Sequence, residues 1–308
     1  MEFIEDIEHF ENEGLALTIG FFDGVHAGHR YLIDQVRAVA DDEHLKAAIF
    51  TFWPHPRITL NEHYKPNLLN SLDEKKELLM SSPLDYCIMT DFSMDLANLV
   101  AFDFMKEVLV KKLNVKHLIV GYDHRFGRNR EEGFDDYVKH GLELGIKVTQ
   151  ADPYSDNNYT ISSSFIRQLL AVGEINMANH YLGYPYALSG TVEKGQQVGR
   201  TIGFPTANLK LNIPNKCLPK IGVYAAMVGV GDKHYKSMLY IGTRPTTTVD
   251  ELSIEAHLFN YEGDLYGQDI TIYVEDRIRN QHKFEDLATL KKQLQKDARM
   301  AQKILMRF

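Results

Sequence analysis

Cysteine is scarce: the 308 residues hold two, Cys87 and Cys217, far apart and in unlike surroundings. Neither keeps company with other metal-ligating residue types, so a disulfide framework and a cysteine zinc site are both excluded. Cys87 lies in an apolar, strand-like segment, the setting of a small core residue. No uninterrupted apolar run reaches membrane-spanning length. The opening, Met1-Glu2-Phe3-Ile4-Glu5-Asp6, is acidic and lacks the basic-then-apolar order of a signal peptide. Basic charge is short as well: 34 Lys and Arg against 42 Asp and Glu give a net charge of −8. A broad nucleic-acid face is therefore disfavoured, although a local basic pocket for phosphates is not. Internal repeats, low-complexity segments and a helix-turn-helix signal are missing too. These absences leave a cytoplasmic protein in a reducing compartment, acting without membrane or nucleic acid. They say nothing about oligomeric state.

What is present is ordinary globular composition, 44% hydrophobic and 25% charged, with length enough for two domains. Up to about Tyr181, strand-like runs alternate with helical patterns, which predicts an α/β domain with a parallel, Rossmann-like sheet. The expected strands are Leu15–Phe21, Ala47–Phe52, Tyr86–Met89, His117–Val120 and Ile146–Thr149. The expected helices are Arg30–His44, Asp73–Met80, Leu96–Leu113, Phe134–Leu144 and Ser164–Leu170. From Ala187 short alternating runs replace the helices: Leu188–Val192, Gly222–Val230, Tyr235–Ile241, Ser253–Phe259 and Ile270–Val274. Gly231-Asp232 separates two of them as a hairpin signal. Regular short strands predict a small antiparallel β-barrel. Leu287, Leu290, Leu294, Ala298, Ala301 and Ile304 keep helical register and predict a C-terminal helix over Phe284–Ile304. Gly183 and Pro185 punctuate the change of texture, so the expected domains are 1–185 and 186–308.

The densest stretch is Gly20-Phe21-Phe22-Asp23-Gly24-Val25-His26-Ala27-Gly28-His29. It lies between a predicted strand and a predicted amphipathic helix, where an α/β sheet receives a ligand. Gly20, Gly24 and Gly28 let the backbone approach a phosphate, and the helix N-terminus offers N–H groups and a positive dipole end. His26 and His29, three apart, share a face once the helix has begun and can donate to phosphoryl oxygens. Glycines and histidines also meet at turns without chemistry. Here they resemble the ATP-binding signature of nucleotidylyltransferases, in the form used by bacterial bifunctional riboflavin kinase/FAD synthetases. The resemblance places Phe21 and Asp23 beside the ATP with the glycines.

Three more segments fit that resemblance. Thr51-Phe52-Trp53-Pro54-His55-Pro56 leaves the second strand through a rigid, proline-braced loop. Gly121-Tyr122-Asp123-His124-Arg125-Phe126-Gly127-Arg128 follows another strand; a charge run of this kind can be no more than a solvated loop. In the family it resembles, Asp123, Arg125 and Phe126 match flavin-binding positions, and an aromatic residue usually stands where this chain has His124. Ile161-Ser162-Ser163-Ser164-Phe165-Ile166-Arg167 reads as a capped helix start. The resemblance makes Ser162, Ser163, Ser164 and Arg167 a second set of ATP-phosphate contacts, gripping one triphosphate together with the His26/His29 turn.

In the second half, Gly195-Gln196-Gln197-Val198-Gly199-Arg200-Thr201-Ile202-Gly203-Phe204-Pro205-Thr206-Ala207-Asn208 spaces three glycines four apart. It is not a P-loop, since no Gly-Lys-Ser/Thr follows the glycines, yet it makes a flexible phosphate cradle. Thr206 and Asn208 are neutral oxygen donors two apart on extended backbone, which suits Mg²⁺ bridging nucleotide phosphates. The stretch resembles the riboflavin kinase signature, with Gly222-Val223-Tyr224, Gly242-Thr243-Arg244-Pro245-Thr246 and Asp264-Leu265-Tyr266-Gly267 as its companions. Gly195, Gly199, Arg200 and Gly203 would hold ATP. In Ser253-Ile254-Glu255-Ala256-His257-Leu258, alternation puts Glu255 and His257 on one face. The resemblance makes Glu255 the base that takes the proton from the riboflavin 5′-hydroxyl. Tyr240 stands where the family commonly carries Asn.

The resemblance implies ATP-dependent phosphorylation of riboflavin to FMN by the barrel. The first domain would then adenylylate FMN to FAD with release of pyrophosphate, both steps using Mg²⁺. Its small-molecule substrates would be ATP, riboflavin and FMN. Two other readings stay open on the residues alone: a different nucleotidylyltransferase with a flavin-binding regulatory barrel, and a flavin sensor without catalysis.

Overall fold

Five consecutive apolar or small residues, Leu15–Ile19, form a strand with every side chain buried, as the middle of a parallel sheet requires. The computed structural model describes residues 1–61, 63–156, 159–195, 197–245 and 250–307. Gln196 of the glycine stretch and Thr246 of its companion segment lie outside the described residues. The described chain divides into two compact units, Met1–Ser163 and Ser164–Phe308. No helix among the described residues is long and apolar enough to cross a membrane.

The first unit is built on a parallel sheet of six strands: β1 (Glu2–Ile4), β2 (Leu15–Ile19), β3 (Lys46–Phe52), β4 (Tyr86–Thr90), β5 (Val115–Val120) and β6 (Lys147–Gln150), in the order β1-β4-β3-β2-β5-β6. The chain runs from β2 outward to β4 and then returns to β5 on the other side of β2. The order therefore reverses between β2 and β5, and the crevice beyond their carboxyl ends is where such sheets bind ligands. Strand alternation splits the core into two layers. On one face Leu15, Leu17, Phe50 and Leu118 pack with Phe104, Met105 and Tyr137. On the other, Ala16, Ile49 and Cys87 pack with Ile33, Val36 and Leu79. The helices of this unit are α1 (Ala27–Asp42), α2 (Pro56–Leu60), α3 (Leu72–Met80), α4 (Met94–Asn98), α5 (Ala101–Phe104) and α6 (Phe134–Leu144), with a two-stranded ribbon of β7 (Ser155–Asp156) and β8 (Tyr159–Thr160).

The helix expected over Leu96–Leu113 is not continuous. It breaks at Leu99 and Val100, both extended, between α4 and α5, and continues after α5 as a π-helix, Met105–Lys112. The cause is a docked loop about thirty residues away in sequence. Arg128 N–H donates to the Leu99 carbonyl, and the Glu132 carboxylate accepts from Ala101 N–H at 3.0 Å. Gly127 lies so close to Ala101 that a Cβ would sit 2.8 Å from its nitrogen. The break ties the loop after β5 to the body of the unit. Edge strand β1 escapes the periodicity because three residues are too few to show it.

Helix α7 (Ser163–Val172) begins at the division, and α8 (Ile175–Leu182), a short helix with no clear sequence period, follows it. The second unit is a closed antiparallel barrel of six strands: β9 (Tyr186–Glu193), β10 (Ala207–Leu211), β11 (Gly222–Val230), β12 (Lys233–Pro245), β13 (Asp250–Leu258) and β14 (Asp269–Asn280), ordered β10-β13-β12-β11-β14-β9. The Gly231-Asp232 turn joins β11 to β12 as a two-residue hairpin, with Val230 paired to Lys233. A four-residue helix, α9 (Val198–Thr201), sits in the glycine stretch, and β10, which is not among the expected strands, follows on the extended backbone expected at Asn208. The closing helix α10 spans Leu287–Ile304, and its Ala301 packs with Val223, Ala225 and Met238. Asn179 of α8 donates to the Val274 carbonyl and accepts from Tyr186 N–H, so α8 belongs with the barrel.

Candidate active sites

In the first unit, Gly20–His29 is the connection from β2 to α1. Its shape comes from positive φ at Phe22 (54°), Gly24 (87°) and Val25 (35°), the conformations that turn a strand directly into a helix. Tertiary contacts hold the strain. The buried Asp23 carboxylate accepts from Leu69 N–H at 3.0 Å and Asn70 N–H at 3.3 Å. The Asp23 carbonyl accepts from Ser163 Oγ at 2.8 Å, and the Arg30 guanidinium donates to the Val25 carbonyl at 2.7 Å. Asp23 thus spends its carboxylate on the backbone of a neighbouring loop.

His26 is the N-cap of α1: its Nδ1 accepts from His29 N–H at 3.3 Å. Accepting there places the proton of a neutral ring on Nε2. The His26 and His29 rings stack with centroids 3.7 Å apart and planes 18° from parallel. Burial pushes the His29 proton affinity well below the ordinary imidazole range, with the charges of His26, Lys75 and Arg30 adding to it. His29 is therefore a neutral donor at pH 7, and its Nδ1, sealed from solvent, has no hydrogen-bond partner among the described residues. Gly28 is crowded: a Cβ there would lie 2.9 Å from the Ile161 carbonyl oxygen and 3.2 Å from the His26 ring. Gly20 keeps its N–H in the sheet, donating to the Phe50 carbonyl.

The other expected residues of this unit are spread over the loops around the switch point. Phe21 faces Trp53 at 6.1 Å and His55 at 4.4 Å between centroids. Ser162 is half-buried, with Ser163 beside the turn through its bond to Asp23; Ser164 and Arg167 belong to the second unit. In the loop after β5, Asp123 and Arg125 are exposed, whereas Phe126 is buried and stacked on Tyr137 at 4.0 Å. Phe126 also exchanges main-chain hydrogen bonds with the Tyr137 hydroxyl, so its ring anchors the loop. Burial, with Arg130 assisting, pulls His124 down to about 4. Its Nε2 is shut away without a partner among the described residues.

In the second unit, β10 pairs with β13 so that Asn208 stands opposite Glu255. Thr206 Oγ1 donates to Glu255 Oε2 at 3.0 Å and Ser253 Oγ donates to Oε1 at 2.8 Å, which orients both carboxylate oxygens. Alternation works as expected: Ile254, Ala256 and Leu258 are buried while Glu255 and His257 look outward. His257 donates through Nδ1 to the Pro205 carbonyl at 2.7 Å, and burial lowers its proton affinity. Tyr240 faces Glu255 across the β12–β13 pair. The glycine stretch folds over this face. A Cβ on Gly195 would collide with the Asn208 carboxamide, and one on Gly199 with the Phe204 carbonyl. Gly203 has a positive φ of 88°. Gln197 reaches across to the Tyr266 hydroxyl at 3.1 Å. A cavity of about 190 Å³ opens beside Thr206 on the strand face opposite Glu255, and its lining includes Arg200, Thr206, Ala256, Leu258, Asp264 and Tyr266.

Sequence reasoning missed Ser253, which a hydroxyl two residues before a strand carboxylate could have signalled, since both point the same way. It also missed Lys75, hidden within an ordinary amphipathic helix. Among the described residues no group of three or more His, Cys, Asp or Glu could hold a metal ion.

Comparison with known proteins separates the same two halves. Residues 8–165 match the FAD synthetase family model and residues 182–305 match the riboflavin kinase family model. The chain is 38% identical to the bifunctional riboflavin kinase/FMN adenylyltransferase of Escherichia coli (strain K12), over 96% of this chain and 94% of that one. It is 35% identical to the protein of that name from Listeria monocytogenes, over 91% and 89%, and 33% to that of Bacillus subtilis, over 92% and 90%. A crystal structure described as a macrolide-efflux protein from Streptococcus pneumoniae superposes with a TM-score of 0.87 at 29% identity, covering 98% of each chain.

Proposed function

The chain belongs to the bifunctional riboflavin kinase/FMN adenylyltransferase family, and we propose that the two steps run at the two sites just described. It phosphorylates riboflavin with ATP to FMN and adenylylates FMN to FAD with release of pyrophosphate. A barrel that only binds flavin is thereby set aside. We assign adenylylation to a domain centred on the β2–α1 turn and phosphorylation to the barrel, with the change of domain between the end of the 8–165 match and Tyr186 of β9.

For the kinase step, the observation that carries the reading is the Thr206–Glu255 hydrogen bond, which joins two motifs 49 residues apart. Glu255 accepts the proton of the riboflavin 5′-hydroxyl as that oxygen attacks the γ-phosphorus and ADP leaves. Gly195, Gly199, Arg200 and Gly203 cradle the ATP phosphates. Thr206 and Asn208 fit Mg²⁺: both are neutral oxygen donors on one strand face. The Thr206 oxygen keeps acceptor capacity after donating to Glu255, and only a glycine at 195 leaves the Asn208 carboxamide its room. Bound there, Mg²⁺ would offset charge on the phosphate oxygens.

For the adenylyl step, a phosphate oxygen of FMN attacks the α-phosphorus of ATP and pyrophosphate departs. His26 and His29 supply N–H donors to the phosphoryl oxygens, and the N-terminus of α1 adds its dipole. Gly20, Gly24 and Gly28 shape the turn, Phe21 and Asp23 brace it, and Ser162, Ser163, Ser164 and Arg167 add phosphate contacts. Asp123 and Arg125 are the flavin-facing members of their loop, and Phe126 sets that loop's position. Cys87 and Cys217, both buried and neither in a disulfide, accord with a cytoplasmic, reducing site of action.

The test is product analysis of two variants supplied with riboflavin, ATP and Mg²⁺, then with FMN, ATP and Mg²⁺. His29→Ala should stop at FMN. Glu255→Gln should make no FMN but convert supplied FMN to FAD. If both folded variants lose both conversions, the two-site assignment is wrong.

A further inference from the structure

Lys75 is a lysine with 1% of its surface exposed, one turn into α3. Lysines are almost never fully buried unless the cation is matched. Its Nζ donates to Thr51 Oγ1 at 2.8 Å and to the Phe52 carbonyl at 3.4 Å, and it lies 4.3 Å from the centre of the Phe21 ring. That accounts for three N–H groups: two hydrogen bonds and one cation–π contact. Thr51 Oγ1 passes the connection on, donating to the Phe21 carbonyl at 3.3 Å. The Trp53 ring centre is 6.0 Å from the same Nζ.

These contacts close a circuit. The Asp23 carboxylate holds the amides of Leu69 and Asn70, just ahead of α3. Four residues into α3, Lys75 returns to Phe21 and to Thr51 at the end of β3. The β2–α1 turn is thus gripped at Asp23 and again at Phe21 by one short stretch of chain, and the second grip is a buried cation. We propose that Lys75 is a positioning residue for adenylyl transfer, setting the Phe21 and Trp53 rings and the His26–His29 turn relative to each other. The inference rests on placing that step at this turn.

Charge supports it. Burial lowers the Lys75 ammonium to about 7, while Cys87 and Asp23 pull the other way. The ammonium in turn adds to the forces keeping His29 neutral, alongside His26 and Arg30. The cation is therefore held near the turn at an energetic cost, which packing alone would have avoided with a leucine or methionine.

Lys75→Met keeps the volume and removes the cation, and Thr51→Val keeps the shape and removes the relay. In the full-length protein, Lys75→Met should slow FMN adenylylation by about 10- to 100-fold, the scale of a displaced reacting group. The fall should be larger in kcat than in KM for ATP. Thr51→Val should cost about three- to tenfold on the same grounds. Riboflavin phosphorylation should stay within about twofold, since a positioning defect at one site leaves the other's transition state untouched. Trp53 is the only tryptophan of the chain, so its emission reports the ring cluster and should differ between wild type and Lys75→Met. Full adenylylation with unchanged emission in folded Lys75→Met overturns the proposal. If that variant loses both activities through misfolding, Thr51→Val decides, and wild-type adenylylation there overturns it as well. His29→Ala separates the two levels: intact FAD formation in that variant removes the site, whereas loss there without loss in Lys75→Met removes only this inference.

Discussion

The two turns to which we assign phosphate chemistry are made differently. The β2–α1 turn is a fixture. Its residues from Phe22 to His26 are buried, its carboxylate is spent on other backbone, and its histidines stack against each other. The turn around Gly195–Gly203 is more open. Most of its described residues are exposed or half-exposed, and it closes on the barrel through contacts such as Gln197 to Tyr266. The first presents a helix N-terminus and preset donors to the phosphates. In the second, the chemistry sits beside the turn, on strands β10 and β13, where Thr206, Asn208, Ser253 and Glu255 share one face. A buried turn suits a step whose catalysis is donors at developing charge; an open one leaves the chemistry to the strands beside it.

The largest test of this contrast is Glu255→Gln. If the chemistry beside the glycine turn depends on a strand carboxylate, riboflavin phosphorylation should fall by about 10²–10⁴, the usual contribution of a positioned base. Steady-state rates on purified protein read it, and a loss under about threefold would leave metal and positioning as the whole mechanism. Next is His29→Ala, expected to cut FAD formation from FMN by about 10²–10³, as loss of a transition-state donor does. Riboflavin phosphorylation measured on the same sample should persist.

Paired glycine substitutions compare rigidity directly. Gly28→Ala pushes against the Ile161 carbonyl, a main-chain atom that cannot swing away. Adenylylation should drop by about tenfold, as misplacement of reacting groups entails. Gly195→Ala meets the end of the Asn208 side chain, which can swing where a main-chain carbonyl cannot, so phosphorylation should fall by only about threefold on the same scale. The reverse order in the two kcat values would mean the turn at Gly195 is the less tolerant one.

A separate test reads stability. The folded-state value of Lys75 near 7 lies below its ordinary 10.5. The unfolded chain therefore binds more protons between those values, and stability should rise with pH from about 7 towards 10.5. Below 7 the cost of the buried cation is fully present. Urea midpoints across that range should climb for wild type and lose this part of the slope in Lys75→Met. A slope unchanged by the substitution would assign the titration to another group.

Much of the architecture was legible because the forces behind it are local. Apolar runs of strand length and a hairpin of Gly231-Asp232 announce themselves within a dozen residues. So does the pattern that buries Ile33, Val36 and Ala40 on α1. The glycine–histidine turn was readable for the same reason: tight backbone and helix capping are properties of neighbours. The break at Leu99–Val100 was not, since its cause is a loop arriving from residues 127–132. The packing of Phe126 on Tyr137 shows a similar limit, since the partner lies eleven residues on, beyond the loop.

By itself, then, the sequence determined two domains of different texture, their fold classes, and the motifs that mark each site, because periodicity and turn chemistry act over short stretches. Tertiary structure alone decided which side chains face each other across those motifs. Thr206 and Ser253 converge on Glu255 only because β10 lies beside β13 in one register. Asp23 turns to the backbone of Leu69, and Lys75 reaches Thr51, only because α3 packs against the sheet. Hydrogen bonds and buried charges depend on distances of a few ångströms between residues far apart in the chain, and such distances exist only once the core has closed.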